Sequence, residues 1–180
     1  MYIKIKKEII ETFIDYPDNS GTPAIIIFMV GCSHNCPECQ NEHLQNPNLN
    51  DDTIITVDDK QFSKIIDYYA DLYRTNKIVL SGGDPFFDDN KSFTINWINQ
   101  NNTKYDICVY TGYTFSEIEN ELPSNIKYLI TGRYSKDNKN RNAGKNNDNF
   151  ILISKNQEIW CWTTDKYNRI SKNGIITYNN

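Results

Sequence analysis

The chain has 180 residues, 38% hydrophobic and 23% charged, with a formal net charge of −4, enough for one domain with a real core and short for two. Mild acidity excludes the basic stripe that broad nucleic-acid binding needs, and no apolar run is long enough to span a bilayer. The alternating start Met1-Tyr2-Ile3-Lys4-Ile5-Lys6-Lys7 lacks the apolar core of a secretory signal, so a cytoplasmic setting without nucleic-acid or membrane partners is expected.

Met1 to Phe13 reads as a strand or strand pair, and Asp15 to Gly21 as a turn rich in Pro, Asp, Asn, Ser and Gly. Ala24 to Val30 is a continuous apolar run ending at Gly31, the pattern of a buried strand. Asp51 to Asp59 reads as polar and turn-rich. Gln61 to Arg74 carries Phe62, Ile65, Ile66, Tyr69 and Leu72 at helical spacing. Lys77 to Leu80 reads as a strand, Asn90 to Gln100 as a weakly patterned helix and Asp106 to Tyr110 as a strand. Phe115 to Glu121 follows as a short helix and Lys127 to Ile130 as a strand. Tyr134 to Asn149 is a polar loop with several cations. Phe150 to Ile153 and Glu158 to Trp162 then read as a closing hairpin turning at Ser154 to Gln157. Strand and helix alternate, so the expected fold class is α/β, with β-α-β units and a mainly parallel sheet. No linker divides the chain, and residues 1–180 are taken as one domain.

Chemistry concentrates in Gly31-Cys32-Ser33-His34-Asn35-Cys36-Pro37-Glu38-Cys39, directly after the first buried strand. The five cysteines are odd in number and three are clustered here, unlike a disulfide framework. Thiolates are the usual ligands of iron–sulfur clusters, and three of them leave one corner of a four-iron cluster open for a small molecule. A zinc site of Cys32, Cys36 and Cys39 with His34 or His43 is the alternative. His34 is otherwise expected to be a solvated loop residue and His43 a surface or capping one. Cys108 and Cys161 read as packing residues. Ser81-Gly82-Gly83-Asp84-Pro85 ends a strand where open α/β sheets place ligands, and its paired glycines let backbone approach a ligand without side-chain obstruction. Val109-Tyr110-Thr111-Gly112-Tyr113 ends the next strand at the same edge, as a candidate wall of the same pocket.

The cysteine triplet, Ser81-Gly82-Gly83-Asp84-Pro85 and Tyr110-Thr111-Gly112-Tyr113, in this order, resemble the radical S-adenosylmethionine enzymes. Within them the chain looks like the activating proteins of anaerobic, class III ribonucleotide reductases. Asp84, where the activase of pyruvate formate-lyase has glutamate, and Gly132-Arg133-Tyr134 add to that likeness, which covers most of the chain from Ala24 to Trp162. It implies a small, incomplete radical-SAM (βα) barrel and a [4Fe–4S] cluster on Cys32, Cys36 and Cys39, with S-adenosylmethionine chelated at the open iron. Reductive cleavage would yield a 5′-deoxyadenosyl radical that takes hydrogen from a glycine of the partner. The implied cofactor contacts are Glu38, Cys39 and Gln40 near the adenine, Gly82, Gly83 and Asp84 at the methionyl end, and Tyr110, Thr111 and Gly112 on the ribose side. Glu38 departs from the pattern, because relatives place an aromatic or a glycine before the third cysteine. The implied partners are a glycyl-radical protein, foremost an anaerobic ribonucleotide reductase, and a low-potential electron donor such as flavodoxin. An activase of the pyruvate formate-lyase type is the second enzymatic reading, and a zinc-binding interaction domain the non-enzymatic one.

Overall fold

The computed structural model describes residues 1–178. Its strands and helices follow in chain order as β1 (Tyr2–Lys6), β2 (Ile10–Thr12), β3 (Ala24–Met29), β4 (Ile54–Asp58), α1 (Asp59–Tyr73), β5 (Lys77–Gly82), α2 (Asp88–Asn101), β6 (Asp106–Tyr110), α3 (Phe115–Ile118), β7 (Tyr128–Thr131), β8 (Gly144–Lys145), β9 (Asn149–Ile151), β10 (Glu158–Thr163), β11 (Lys166–Arg169) and β12 (Ile175–Thr177). Helix α1 forms where the sequence supplies both ends. Asp58 accepts from the Gln61 amide at 2.8 Å while the Gln61 side chain accepts from the Asp58 amide at 3.0 Å, a reciprocal cap for two otherwise unpaired donors. At the far end Arg74 turns left-handed, at φ 51°, and stops the helix. Phe62, Ile66 and Ala70 form its buried stripe.

A nine-stranded sheet runs in the order β11-β10-β7-β6-β5-β3-β1-β4, with β2 also on β3. Its centre, β3-β5-β6-β7, is parallel. The flanking pairs, β1 with β3 and β4, β2 with β3, and β10 with β7 and β11, are antiparallel. The expectation of a mainly parallel sheet is therefore corrected: three pairings are parallel and five antiparallel. Parallel neighbours need a long crossover, which the stretches through α1, α2 and α3 provide at the centre; at one edge β10 and β11 are joined by residues 164–165 alone and can pair only as an antiparallel hairpin. Among the described residues β4 and β11, the two edge strands, do not pair with each other, so the sheet stays open.

Both faces of the parallel centre are covered, which is why its strands read as unbroken apolar runs. Ile25, Ile27, Ile78, Leu80, Ile107 and Val109 pack against α1 and α2 through Phe62, Ile66, Phe93 and Trp97. Alternate residues Ile26, Val79, Cys108 and Ile130 face Tyr16, Phe150 and Leu152 instead. Phe150 belongs to a separate three-stranded sheet, β12-β9-β8. The expected hairpin is thus absent: β9 pairs with β8 and β12, while β10 joins the main sheet and makes its hairpin with β11. Both segments alternate as strands should, but each finds a longer apolar contact elsewhere than in the other. β4 corrects the reading of Asp51 to Asp59 as a turn, since Ile54 and Val57 are buried beneath flanking aspartates.

Candidate metal centre

The parallel register sets the site. Met29 stands opposite Gly82, so the chain leaves β3 and β5 side by side. The Gly83 amide donates to Met29 O and the Asp84 amide to Gly31 O, each at 2.8 Å. A Cβ on Gly83 would lie 2.3 Å from Gly31 O, and one on Gly82 would lie 2.4 Å from Met29 N. Both glycines thus serve the close approach of the two strand ends first. A bulky residue at Gly83 displaces the cysteine loop itself, so it cannot test ligand contact separately. Beyond Gly31 the loop is anchored from below, where the Asn90 side chain donates to Val30 O at 3.0 Å and to Asp84 O at 2.9 Å. The 3-10 turn Glu42–Gln45 closes back on it, through Gly31 N to Leu44 O at 2.7 Å and Cys32 N to Gln45 O at 3.0 Å.

Asn35 and Glu38, each directly before a cysteine, are left-handed at φ 49° and 58°. These two reversals curl the loop so that Cys32, Cys36 and Cys39 line one pocket together with Gly82, Gly83, Thr111 and Gly112. The φ at Glu38 lies in the region that favours a residue without Cβ, so this backbone suits a glycine better than a glutamate. All three thiols are free and partly buried. Burial pushes the Cys32 thiol up to about 11, although the His34 amide, donating to its sulfur at 3.5 Å, acts the other way. Burial also raises Cys36, opposed by a backbone hydrogen bond from Tyr134. A bound metal cation reverses such shifts and holds the thiolates.

Asp84 is the hub. Its side chain is 1% exposed and accepts from the Phe86 amide at 2.8 Å, the Thr111 hydroxyl at 2.9 Å and the Gly112 amide at 2.8 Å. His34 Nε2 lies 2.9 Å from the same carboxylate, and His34 Nδ1 accepts from Arg133 Nε at 3.1 Å. The expectation of a solvated His34 is overturned, since its side chain is 4% exposed and both ring nitrogens are bonded. Nothing near it in sequence signals this, because its partners come 50 and 99 residues later. Arg133, read only as part of a motif, reaches on to Glu117 at 3.6 Å.

The remaining sequence candidates divide. Tyr110 lines the pocket and bonds Asp15 O through its hydroxyl at 2.9 Å. Cys39 and Tyr110 are shared with an adjoining cavity of about 410 Å³, and Gln40 lines that cavity and not the cysteine pocket. Glu38 points outward and pairs with Lys136. His43 is exposed on the 3-10 turn. Cys108 is fully buried, and Cys161 is half-buried with its sulfur toward Trp162 O. A further hollow of about 330 Å³ beside β1 is lined by Tyr2, Ile3, Lys4 and Asn90 among others and has no thiol or imidazole.

The profile of the 4Fe-4S single cluster domain matches residues 20–153. The chain belongs to this family. Named relatives are similar over two thirds or more of the chain. The anaerobic ribonucleoside-triphosphate reductase-activating protein of Enterobacteria phage T4 is 25% identical over 140 residues, 76% of this chain and 86% of its own length. Its namesake from Vibrio cholerae is 26% identical over 127 residues, 67% and 79% of the two chains. That of Escherichia coli K12 is 26% identical over 130 residues, 69% and 82%. Among solved structures, QueE from Escherichia coli is similar over 62% of this chain and 54% of its own, at 18% identity and a TM-score of 0.42. The donor set fits the family's cluster: three free thiols on one pocket, an amide on Cys32 sulfur, and a histidine whose nitrogens are already engaged. Among the described residues no helix is long and apolar enough to cross a membrane.

Proposed function

We propose that this 4Fe-4S single cluster domain, acting as one radical S-adenosylmethionine unit, is the activating enzyme that places a glycyl radical on an anaerobic ribonucleotide reductase. The observation that carries the reading is the convergence of three free thiols, with no fourth cysteine in the lining among the described residues, on a pocket walled by Gly82, Gly83, Thr111 and Gly112. The names of the curated relatives support the choice of partner. Cys32, Cys36 and Cys39 would hold three irons of a cluster, leaving the fourth for S-adenosylmethionine. When bound, the pair supplies a low-potential electron and a sulfonium whose reductive cleavage drives hydrogen abstraction from glycine. The chain's own part is binding and orientation. The backbone at Gly82 and Gly83 would receive the methionyl end, with Asp84 holding both loops beneath it. Tyr110, Thr111 and Gly112 would flank the ribose, and the backbone at Glu38, with Gln40, would meet the adenine. Tyr134 lines both the cysteine pocket and the adjoining cavity, and an open sheet would leave a flank for a partner's loop. A flavodoxin-like donor would supply the electron.

Anaerobic reconstitution is expected to load about four irons per chain. Replacing Cys32, Cys36 or Cys39 by alanine removes them, whereas Cys108→Ala and Cys161→Ala keep them. With reductant, S-adenosylmethionine and an anaerobic ribonucleotide reductase, electron paramagnetic resonance should then record a glycine-centred radical. A radical raised only on pyruvate formate-lyase would move the assignment to that partner, and a colourless zinc protein would overturn it.

A further inference from the structure

By residue type, Cys32, His34 and Asp84 look like a mixed metal site, with one donor atom from each lying within 4.8 Å of the others. The hydrogen bonds say otherwise. Arg133 Nε carries a proton and can only donate, so His34 Nδ1 must accept, at 3.1 Å. The ring proton therefore resides on Nε2 and is donated to Asp84 at 2.9 Å. A neutral imidazole so engaged has no lone pair left for a metal. We infer that His34 is a positioning residue: a strut that fixes the cysteine loop against the ligand cradle, without binding iron.

Four loops meet at this one ring. His34 lies between Cys32 and Cys36, after β3. Asp84 follows β5 and also holds Thr111 and Gly112 after β6. Arg133 follows β7. The ring is edge-on to Tyr113, with centroids 4.5 Å apart, and it fits because position 112 is glycine, where a Cβ would stand 2.2 Å from His34 Cδ2. Three cysteines suffice to assemble a cluster, but the placement of its open corner relative to Gly82-Gly83 and Thr111-Gly112 depends on this ring. Iron loading and ligand coupling are thereby separable, a prediction that rests on the function proposed above.

The test compares wild type, His34→Ala, His34→Gln, Arg133→Met and Cys36→Ala. Each is reconstituted anaerobically, assayed for iron, and titrated with S-adenosylmethionine while the reduced cluster's paramagnetic spectrum is recorded. His34→Ala should keep wild-type iron, yet need about 10-fold more S-adenosylmethionine for the spectral change, the scale on which outer partners of metal sites act. His34→Gln, whose amide can donate to Asp84, should recover part of that loss. Arg133→Met, at an exposed side chain, should show a smaller loss with an unchanged melting curve. Iron loss in His34→Ala equal to that in Cys36→Ala, or wild-type titration in both His34→Ala and Arg133→Met, overturns the strut. A second readout needs no iron. In the metal-free proteins, hydrogen exchange should quicken across residues 31–40 and at Gly112 in both variants while α1 and β6 stay protected, and unchanged exchange there also overturns it. A wild type that loads no iron would defeat the proposed function alone, leaving the strut to the exchange measurement.

Discussion

Two carboxylates flank the cysteine pocket, and their circumstances are opposite. Asp84 is buried and takes hydrogen bonds from three separate loops. Glu38 sits inside the cysteine motif itself, yet it faces water and pairs with Lys136, which is exposed as well. A buried acceptor of several donors cannot be removed without stranding each of them, whereas an exposed ion pair trades protein contacts for water at little gain. Closeness to the thiols in sequence is therefore a poor guide to structural weight, and the residue that organises the site comes from another strand.

The comparison breaks most visibly at Asp84. Asp84→Ala leaves the Phe86 and Gly112 amides, the Thr111 hydroxyl and His34 without their acceptor. Each stranded donor costs about 1–3 kcal/mol, so the metal-free protein should lose stability, read as a shift of the urea midpoint, and the disordered cysteine loop should load less iron. A midpoint within error of wild type would deny the hub. Asp18 offers an intermediate case remote from the pocket. Burial acts to raise its carboxyl, but the Lys77 ammonium at 2.6 Å, the Ser20 amide and Lys145 together hold it below the usual 3.8. A carboxyl depressed in the folded state adds stability that is complete above its unfolded value and fades as pH falls through the folded one. Acid titration should therefore show stability declining below about pH 4, and Asp18→Asn should flatten that decline. An identical acid profile in the variant would remove Asp18 from the balance. The smallest effect belongs to Glu38→Gln, which keeps the backbone and deletes the outer pair. Melting temperature and iron content should both stay at wild-type values, in low and in high salt, and a clear loss would show that the pair with Lys136 matters more than its exposure allows.

The parts legible in the sequence are those decided locally. Ala24 to Val30 and Asp106 to Tyr110 fall on strands, and Phe62 and Ile66 on the buried face of a helix, because apolar spacing is imposed by burial itself. The coming together of three motifs on one edge was also readable, since each follows a strand of the same parallel set. What escaped was decided by distant partners. β4 hid among aspartates because an edge strand needs only Ile54 and Val57 inward. The segment at Phe150 alternates correctly, but its neighbours β8 and β12 could not be chosen from alternation alone. His34 looked solvated for the same reason, and the glycines of Gly82-Gly83 looked ligand-directed although Met29 and Gly31 already require them.

The separation of His34 from Arg133, 99 residues along the chain, has a consequence for biosynthesis. A ribosome adding about 5–20 residues per second needs about 5–20 s to cover that interval. Throughout it the thiols of Cys32, Cys36 and Cys39 have emerged or are emerging while the loops that will order them are unmade. A cluster delivered in that window would meet a flexible loop and no cradle, and an oxidant would meet three unshielded sulfurs. The timing favours iron delivery after the strand carrying Thr131 has docked, and it makes the newborn chain more vulnerable to air than the finished one.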